Sequence, residues 1–251
     1  MKYPTTDILN VSILALREQE LLRDLKEGVL ITPNLDHLRM LQSDKDFYDC
    51  YQQSEWVVCD SRILYFCSRL LHQPLPEAIP GSSFFTHFYE YHRDDADCKI
   101  FLLGAKEGVA KQAMERINEK VGRKIVVGAH SPSMGFKKKP EEIEQIIEIV
   151  RKSGANVVLV GVGAPKQEKF IQAYRQRMPE VKIWLALGAT IDFEAGNIRR
   201  APRWMQRIGM EWLYRMLSEP KRLVRRYAAD MIFFYHYARQ LMGCYHNPFE
   251  K

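Results

Sequence analysis

The sequence predicts an α/β protein: an open, mostly parallel Rossmann-like sheet with helices on both faces, followed by a C-terminal basic helical appendage. Three observations carry this expectation. Short apolar runs rich in β-branched residues alternate with longer amphipathic segments, the pattern of parallel β-α-β units. Each apolar run stops at small or polar residues and then opens a helix or loop. Past residue 198 the texture changes to arginine, proline and tryptophan, and the charge changes with it.

Taken in order, strands are predicted at Ile8–Ile13, Val29–Thr32, Trp56–Cys59, Lys99–Leu103, Lys124–Val127, Asn156–Val160 and Lys182–Leu187. Helices are predicted between them at Glu18–Lys26, Leu35–Gln53, Arg62–Leu71, Ser82–Tyr91, Glu107–Val121, Pro140–Lys152 and Lys166–Met178. Two further helical stretches follow near Trp204–Leu217 and Pro220–Met242. Residues 1–198 are therefore expected to form the α/β body and residues 199–251 the appendage. A body of about 200 residues can bury a full core as one domain.

The chain has 251 residues and a formal net charge of +6, from 37 Lys and Arg against 31 Asp and Glu. That excess is local. Residues 199–251 hold 11 basic and 4 acidic side chains, whereas the body is close to neutral at −1. Such asymmetry speaks of an anionic partner rather than of fold. At 46% hydrophobic and 27% charged residues, disordered and fibrous classes are excluded. No run reaches the roughly 18–20 apolar residues of a membrane-spanning helix, and the first residues lack the apolar core of a signal peptide. Cys50, Cys59, Cys67, Cys98 and Cys244 form no CxxC pair and read as reduced, buried thiols of a cytosolic protein.

Open parallel sheets bind ligands beyond the carboxyl ends of their strands, so the residues closing each strand are the candidates. Thr32 and Asn34 can hydrogen-bond a sugar or phosphate there; a turn before a helix explains them equally well. Asp60 directly follows the third predicted strand. It is either a carboxylate placed to take a proton from a hydroxyl or the N-cap of the helix near Arg62. Gly104, Gly161 and Gly163 stand where small residues let backbone N–H groups approach a phosphate. Lys166 and Gln167, in the segment GVGAPKQE, reach a ligand from the same edge or serve ordinary turn chemistry. Asp192 follows the last strand through Gly188-Ala189-Thr190-Ile191.

Several chemistries find no support. The sequence has no dinucleotide GxGxxG and no Walker lysine motif. Its histidines are scattered, without HExxH, so no metal site is expected, and the acidic cluster Asp94, Asp95 and Asp97 reads as a solvated loop. No GxSxG marks a serine hydrolase.

The tail points elsewhere. From Arg199 to Arg226 nine basic residues stand against two acidic ones, interleaved with Trp204, Trp212, Tyr214, Leu217 and Leu223. This mixture suits the headgroup region of an anionic bilayer, each Lys or Arg contributing on the order of 1 kcal/mol. Nucleic acid favours the same cations but is not the expected partner, and a helical pair packed on the body needs neither. Apolar residues exposed on such a tail would also suit pairing of two copies of the chain.

The segments TPNLDH, CDSR, PGSSFF, FLLGA, GVGAPKQEKF, LGATIDFEAGNIRRAPRWM and GMEWLYRMLSEPKRLVRR occur in this order. Together they resemble the WecG/TagA/CpsF family of bacterial glycosyltransferases, over about residues 8–240. The resemblance implies an inverting, metal-independent transferase without cofactor, peripheral on the cytoplasmic face of the cell membrane. It implies transfer of N-acetylmannosamine, or its uronic acid, from a UDP-sugar to a polyprenyl-diphosphate-linked GlcNAc, in cell-surface polysaccharide or teichoic acid synthesis. It places the base at Asp60, sugar-side residues at Thr32 and Asn34, and the family's glutamine at Gln167. Arginines that face diphosphate fall among Arg207, Arg215 and Arg222. The chain departs from the family at Ala78, where an arginine is common; an arginine there would have supplied a bidentate fork for phosphate or carboxylate. Two alternatives stay open: a UDP-glucose or UDP-galactose hexosyltransferase of exopolysaccharide synthesis, and a non-catalytic nucleotide- or nucleic-acid-binding module. The latter leaves Asp60 without a task.

Overall fold

The structure is a computed structural model that describes residues 2–198, 201, 202, 205, 211–218 and 220–250; for residues 211, 212, 215, 218 and 220–223 the backbone alone is described. Two strands, β1 (Thr5–Ile8) and β2 (Val11–Leu14), pair as an antiparallel hairpin outside the main sheet. The others are β3 (Gly28–Ile31), β4 (Trp56–Val57), β5 (Ile100–Gly104), β6 (Val126–His130), β7 (Val157–Gly161) and β8 (Ile183–Ala186). They form one sheet in the order β4-β3-β8-β7-β5-β6, parallel at every pairing.

Alternation along the strands makes both faces apolar. Val29 and Ile31 of β3 enter one buried cluster and Leu30 the other. The same split places Phe101 and Leu103 opposite Ile100 and Leu102, and Val158 and Val160 opposite Val157 and Leu159. Such a sheet needs helices on both sides. The first face is covered by α2 (Leu35–Met40), α3 (Lys45–Gln52), α4 (Arg62–Leu70), α7 (Pro140–Ser153) and α8 (Lys166–Tyr174). The second is covered by α1 (Glu18–Asp24), α5 (Gly81–Tyr91), α6 (Val109–Val121) and α9 (Thr190–Glu194). Although β3 and β8 are neighbours, β3 leads to the first face and β8 to the second. Divergence of this kind is where open sheets form their ligand crevice.

The expected fold class is observed, with local differences. The strand expected at Ile8–Ile13 is the hairpin, because the chain reverses at Leu9 (φ 54°) and Asn10, whose amide donates to Leu41 O at 2.7 Å. The long helix expected at Leu35–Gln53 is two helices: Asp44 caps the second by accepting from Phe47 N at 3.0 Å. The last strand residues expected at Val58 and Cys59 still make sheet-like bonds, Val58 N to Ile31 O at 3.0 Å and Ile79 N to Cys59 O at 2.6 Å. Of the cysteines, four are buried as expected and Cys244 is exposed.

The C-terminal part consists of α10 (Glu211–Ser218), α11 (Pro220–Asp230) and α12 (Ile232–Leu241). Helix α12 shares the core of the body: Phe233 and Tyr237 are buried in the first cluster, and Tyr237 donates to Cys67 O at 2.7 Å. Gln240 braces the hairpin, accepting from Leu9 N at 2.8 Å and donating to Asp7 O at 2.9 Å. Helix α11 is tied to α2 by ion pairs, Arg226 to Asp36 at 3.0 Å and Arg39 to the buried Asp230 at 3.2 Å. Arg226, counted above among the cations offered to an anionic surface, is thus engaged within the protein.

Phe233 is fully buried, so Phe233→Ala should lower global stability by about 3–5 kcal/mol. Urea unfolding should show this as a shift of the single main transition rather than as a separate loss of the C-terminal helices.

Candidate active site

Five strand exits, those of β3, β4, β5, β7 and β8, meet at the carboxyl edge of the sheet. Asp60 lies just past β4, where its N–H donates to Pro33 O at 3.3 Å and ties the β4 exit to that of β3. The helix after it takes Ser61 as N-cap, with Ser61 Oγ accepting from Ile63 N at 3.2 Å. Asp60 is therefore not that cap. Its Oδ1 instead accepts at 2.9 Å from the N–H of Gly81, the first residue of α5. An 11-residue helix thus points its N-terminus, the positive end of its dipole, at the carboxylate. The pairing with α5 brings together residues 21 positions apart, which no local pattern discloses. Pro80-Gly81 before the apolar run Phe84-Phe85-Phe88 was the available signal of a helix start.

Thr32 is buried beside this point. A Cβ placed on Gly81 would lie 3.1 Å from Thr32 Oγ1 and 2.8 Å from Leu187 Cδ2. The first turn of α5 fits against β3 and β8 because residue 81 carries no side chain. Asn34 stands differently: it caps α2, its side chain accepting from His37 N at 3.2 Å. His37 lies beneath, its Nδ1 2.7 Å from the Tyr51 hydroxyl, and burial pushes it down to about 4, so it is neutral at pH 7.

The strand-end glycines serve backbone packing. A Cβ on Gly104 (φ 143°) would come within 2.5 Å of the Gly161 carbonyl, and one on Gly161 within 2.7 Å of Gly188 O. The exits of β5, β7 and β8 therefore touch main chain to main chain. Gly163 and Gly188 differ, since a Cβ on either would meet nothing within 4 Å among the described residues.

Gln167 joins those two glycines. Its Oε1 accepts from Gly163 N at 3.2 Å and from Gly188 N at 3.1 Å. Its Nε2 donates to Glu168 Oε1 at 2.8 Å, and both side chains are buried. Of the glycines expected to approach a phosphate, Gly163 thus has its N–H already bonded, as has Gly188. Gln167 lies under the edge, linking β7 to β8. Burial raises Glu168 to about 7, and its Oε2 has no hydrogen-bond partner among the described residues. Sequence reading passed over Glu168; the signal was its three-residue spacing to Ile171, beside that of Gln167 to Phe170, and all four are buried.

The remaining candidates are more peripheral. Lys166 is exposed at the start of α8, and its N–H donates to Gly163 O at 2.9 Å. Asp192 is half-buried in α9 behind β8, and its carbonyl accepts from Asn197 N at 3.0 Å. Arg207 lies outside the described residues, and Arg215 and Arg222 are placed by backbone alone, in α10 and α11. Ala78 is half-buried and packs on the first apolar cluster, one residue from the strand-like bond of Ile79. No three His, Cys, Asp or Glu side chains gather as a metal-binding group among the described residues.

The molecule is thus an open parallel α/β protein whose carboxylate, threonine and helix N-terminus meet at the sheet's carboxyl edge, where such folds bind ligands. Comparison with known proteins narrows this class. Residues 6–247 match the model of the glycosyl transferase WecG/TagA/CpsF family. A relative from Bacillus subtilis (strain 168), an N-acetylglucosaminyldiphosphoundecaprenol N-acetyl-beta-D-mannosaminyltransferase, is 30% identical over 203 residues, covering 80% of this chain and 76% of that protein. The chain belongs to the WecG/TagA/CpsF family and is a glycosyltransferase.

The raised Glu168 gives a pH prediction. The folded state holds this proton up to about pH 7, whereas an unfolded glutamate releases it near 4.5. The corresponding stability is fully present below 4.5 and is lost as pH rises through 7. Glu168→Gln has no proton to lose. Between pH 4.5 and 8 it should gain on the parent protein by on the order of 3 kcal/mol, read from urea unfolding at each pH.

Proposed function

We propose that this glycosyltransferase moves N-acetylmannosamine, or its uronic acid, from a UDP-sugar onto a polyprenyl-diphosphate-linked GlcNAc, with inversion and without a metal ion. The observation that carries the reading is the Asp60 carboxylate held by the Gly81 N–H at the diverging exits of β3 and β8. The name of the Bacillus subtilis relative supports the acceptor and the sugar.

In the reaction, Asp60 takes the proton of the acceptor hydroxyl as its oxygen attacks the anomeric carbon from the face opposite the leaving group. The bond to UDP breaks, and its electron pair stays on the diphosphate oxygen. Thr32, in contact with the same helix start, borders the sugar. Gly163 N and Gly188 N are bonded to Gln167, so cations rather than these amides offset the growing diphosphate charge. Lys166 and the arginines Arg207, Arg215 and Arg222 are assigned this task.

Asp60→Asn preserves an acceptor for Gly81 N–H but removes the base. With UDP-N-acetylmannosamine and a synthetic polyprenyl-diphosphate-GlcNAc, kcat should fall by about 10²–10⁴ with little change in donor KM. Retention of most turnover rejects Asp60 as the base.

The membrane is proposed as the second partner. Supporting it are the local charge of residues 199–251 and the apolar side chains Val224, Met231, Ile232, Tyr235, Leu241 and Met242, which α11, α12 and their ends expose. Among the described residues no helix is long and apolar enough to cross a bilayer, so the contact proposed is with the surface. Truncation would remove Phe233 and Tyr237 from the core, and substitution is the cleaner test. Replacing Arg199, Arg200, Arg203 and Arg207 by glutamine should weaken binding to phosphatidylglycerol vesicles at least about tenfold while sparing neutral vesicles. Equal binding by both proteins removes the electrostatic contact.

A further inference from the structure

We propose that Glu168 is a positioning residue of this site: from beneath the β7 and β8 exits it orients the Gln167 amide and, through it, holds the backbone at Gly163 and Gly188 together. The inference rests on the reading of this edge as the transfer site.

The hydrogen bonds run one way. Gln167 Oε1 must face the sheet edge, because Gly163 and Gly188 both present N–H groups to it, at 3.2 Å and 3.1 Å. A flipped amide would set its NH₂ against two donors. Neither glycine chooses between the orientations alone, since a rotated side chain could abandon both. The choice is made at the other end, where Nε2 needs a buried acceptor and Glu168 Oε1 supplies one at 2.8 Å. Gln167 is 2% exposed and Glu168 1%, so water is not a substitute on either side.

What the clamp holds is the rim of open space. Beyond Gly163 and Gly188 a Cβ would meet nothing within 4 Å among the described residues, whereas Gly104 and Gly161 are filled in by main chain. The β7 and β8 exits at these two residues therefore gain definition from Gln167 rather than from neighbours in front of them. Displacing such a rim by about 1 Å is enough to cost a transfer reaction about a hundredfold.

Glu168 can serve in either protonation state. Oε1 accepts from Gln167, which leaves Oε2, without a partner among the described residues, to carry the proton of the acid form. The charged and titratable groups that face it are Cys50 and Tyr51 of α3 and Lys137 of the short turn Phe136–Lys138. An amide at position 168 keeps an oxygen for Gln167, and a thioether does not.

The test uses the full chain labelled with ¹⁵N-glycine, whose 14 glycines give a sparse amide spectrum. Glu168→Met should speed hydrogen exchange at Gly163 and Gly188 by about tenfold or more, the worth of a lost buried hydrogen bond, and leave Gly104 and Gly161 unchanged. Glu168→Gln should keep the protection. Gln167→Met should match Glu168→Met, and the double variant should add nothing further. Undiminished protection at Gly163 and Gly188 in Glu168→Met overturns the proposal, as does equal loss in Glu168→Gln. If Glu168→Met does not fold, Glu168→Asp, a methylene too short for the 2.8 Å bond, replaces it with the same two outcomes. Transfer is followed in parallel, and kcat should fall with exchange protection in Glu168→Met and return in Glu168→Gln. The expected exchange pattern in a protein that transfers no sugar from any UDP donor rejects the transfer reading and leaves the hydrogen-bond chain standing.

Discussion

With Leu30, Leu102, Leu159 and Leu185 fully buried on one face and Ile31, Leu103, Val158 and Val160 on the other, the four central strands of the parallel sheet have no surface on which to display a polar side chain. A polar group placed there would lose water without gaining a partner, at a cost of a few kcal/mol. Chemistry is therefore displaced to the ends of the strands. The amino ends receive incoming helices, and the carboxyl ends, where β3 and β8 send the chain to opposite faces, are left to converge on a common edge.

That edge carries its own requirement. Strand exits present backbone groups that no longer have a ladder partner, and buried ones must be paired. Asp60 and Gln167 meet the need in complementary ways. Asp60 takes the first N–H of α5 and still stands at the rim with partial exposure. Gln167 takes two N–H groups of the β7 and β8 exits and is wholly inside. In the proposed reaction the first meets the substrate, and the second shapes the place where it is met. The close approach of Gly104, Gly161 and Gly188 completes the frame by letting three neighbouring exits pack without side chains between them.

The C-terminal helices join this frame from behind. Helix α11 is fastened to α2 through Arg39, Asp36, Arg226 and Asp230, and α12 buries Phe233 under the same face of the sheet. Helix α2 begins at Asn34, two residues after Thr32. The helices Pro220–Asp230 and Ile232–Leu241 therefore continue the layer that supports the β3 exit. Charge that reads as surplus in the sequence is in part engaged internally, by Arg226 with Asp36 and by Arg239 with Cys244 O.

The linear sequence determined the class of fold, because alternation of apolar runs with helical periods is a local property, and each strand but the first appears within a few residues of its expected place. It also determined the candidate list, since strand ends are visible as breaks in hydrophobicity; Asp60, Thr32 and Gln167 were all named from that signal and from family resemblance. The hairpin at Leu9-Asn10 and the division between α2 and α3 were missed, because each depends on a turn whose partners, Leu41 O and Phe47 N, are set by packing. What only the tertiary structure decided is which groups each candidate side chain bonds. Whether Asp60 caps the helix after it or faces the N-terminus of another, and whether Gln167 reaches outward or inward to Glu168, are questions of which distant backbone groups come within about 3 Å. Hydrogen bonds act over that range alone, so they belong to the folded neighbourhood and leave no periodicity in the chain.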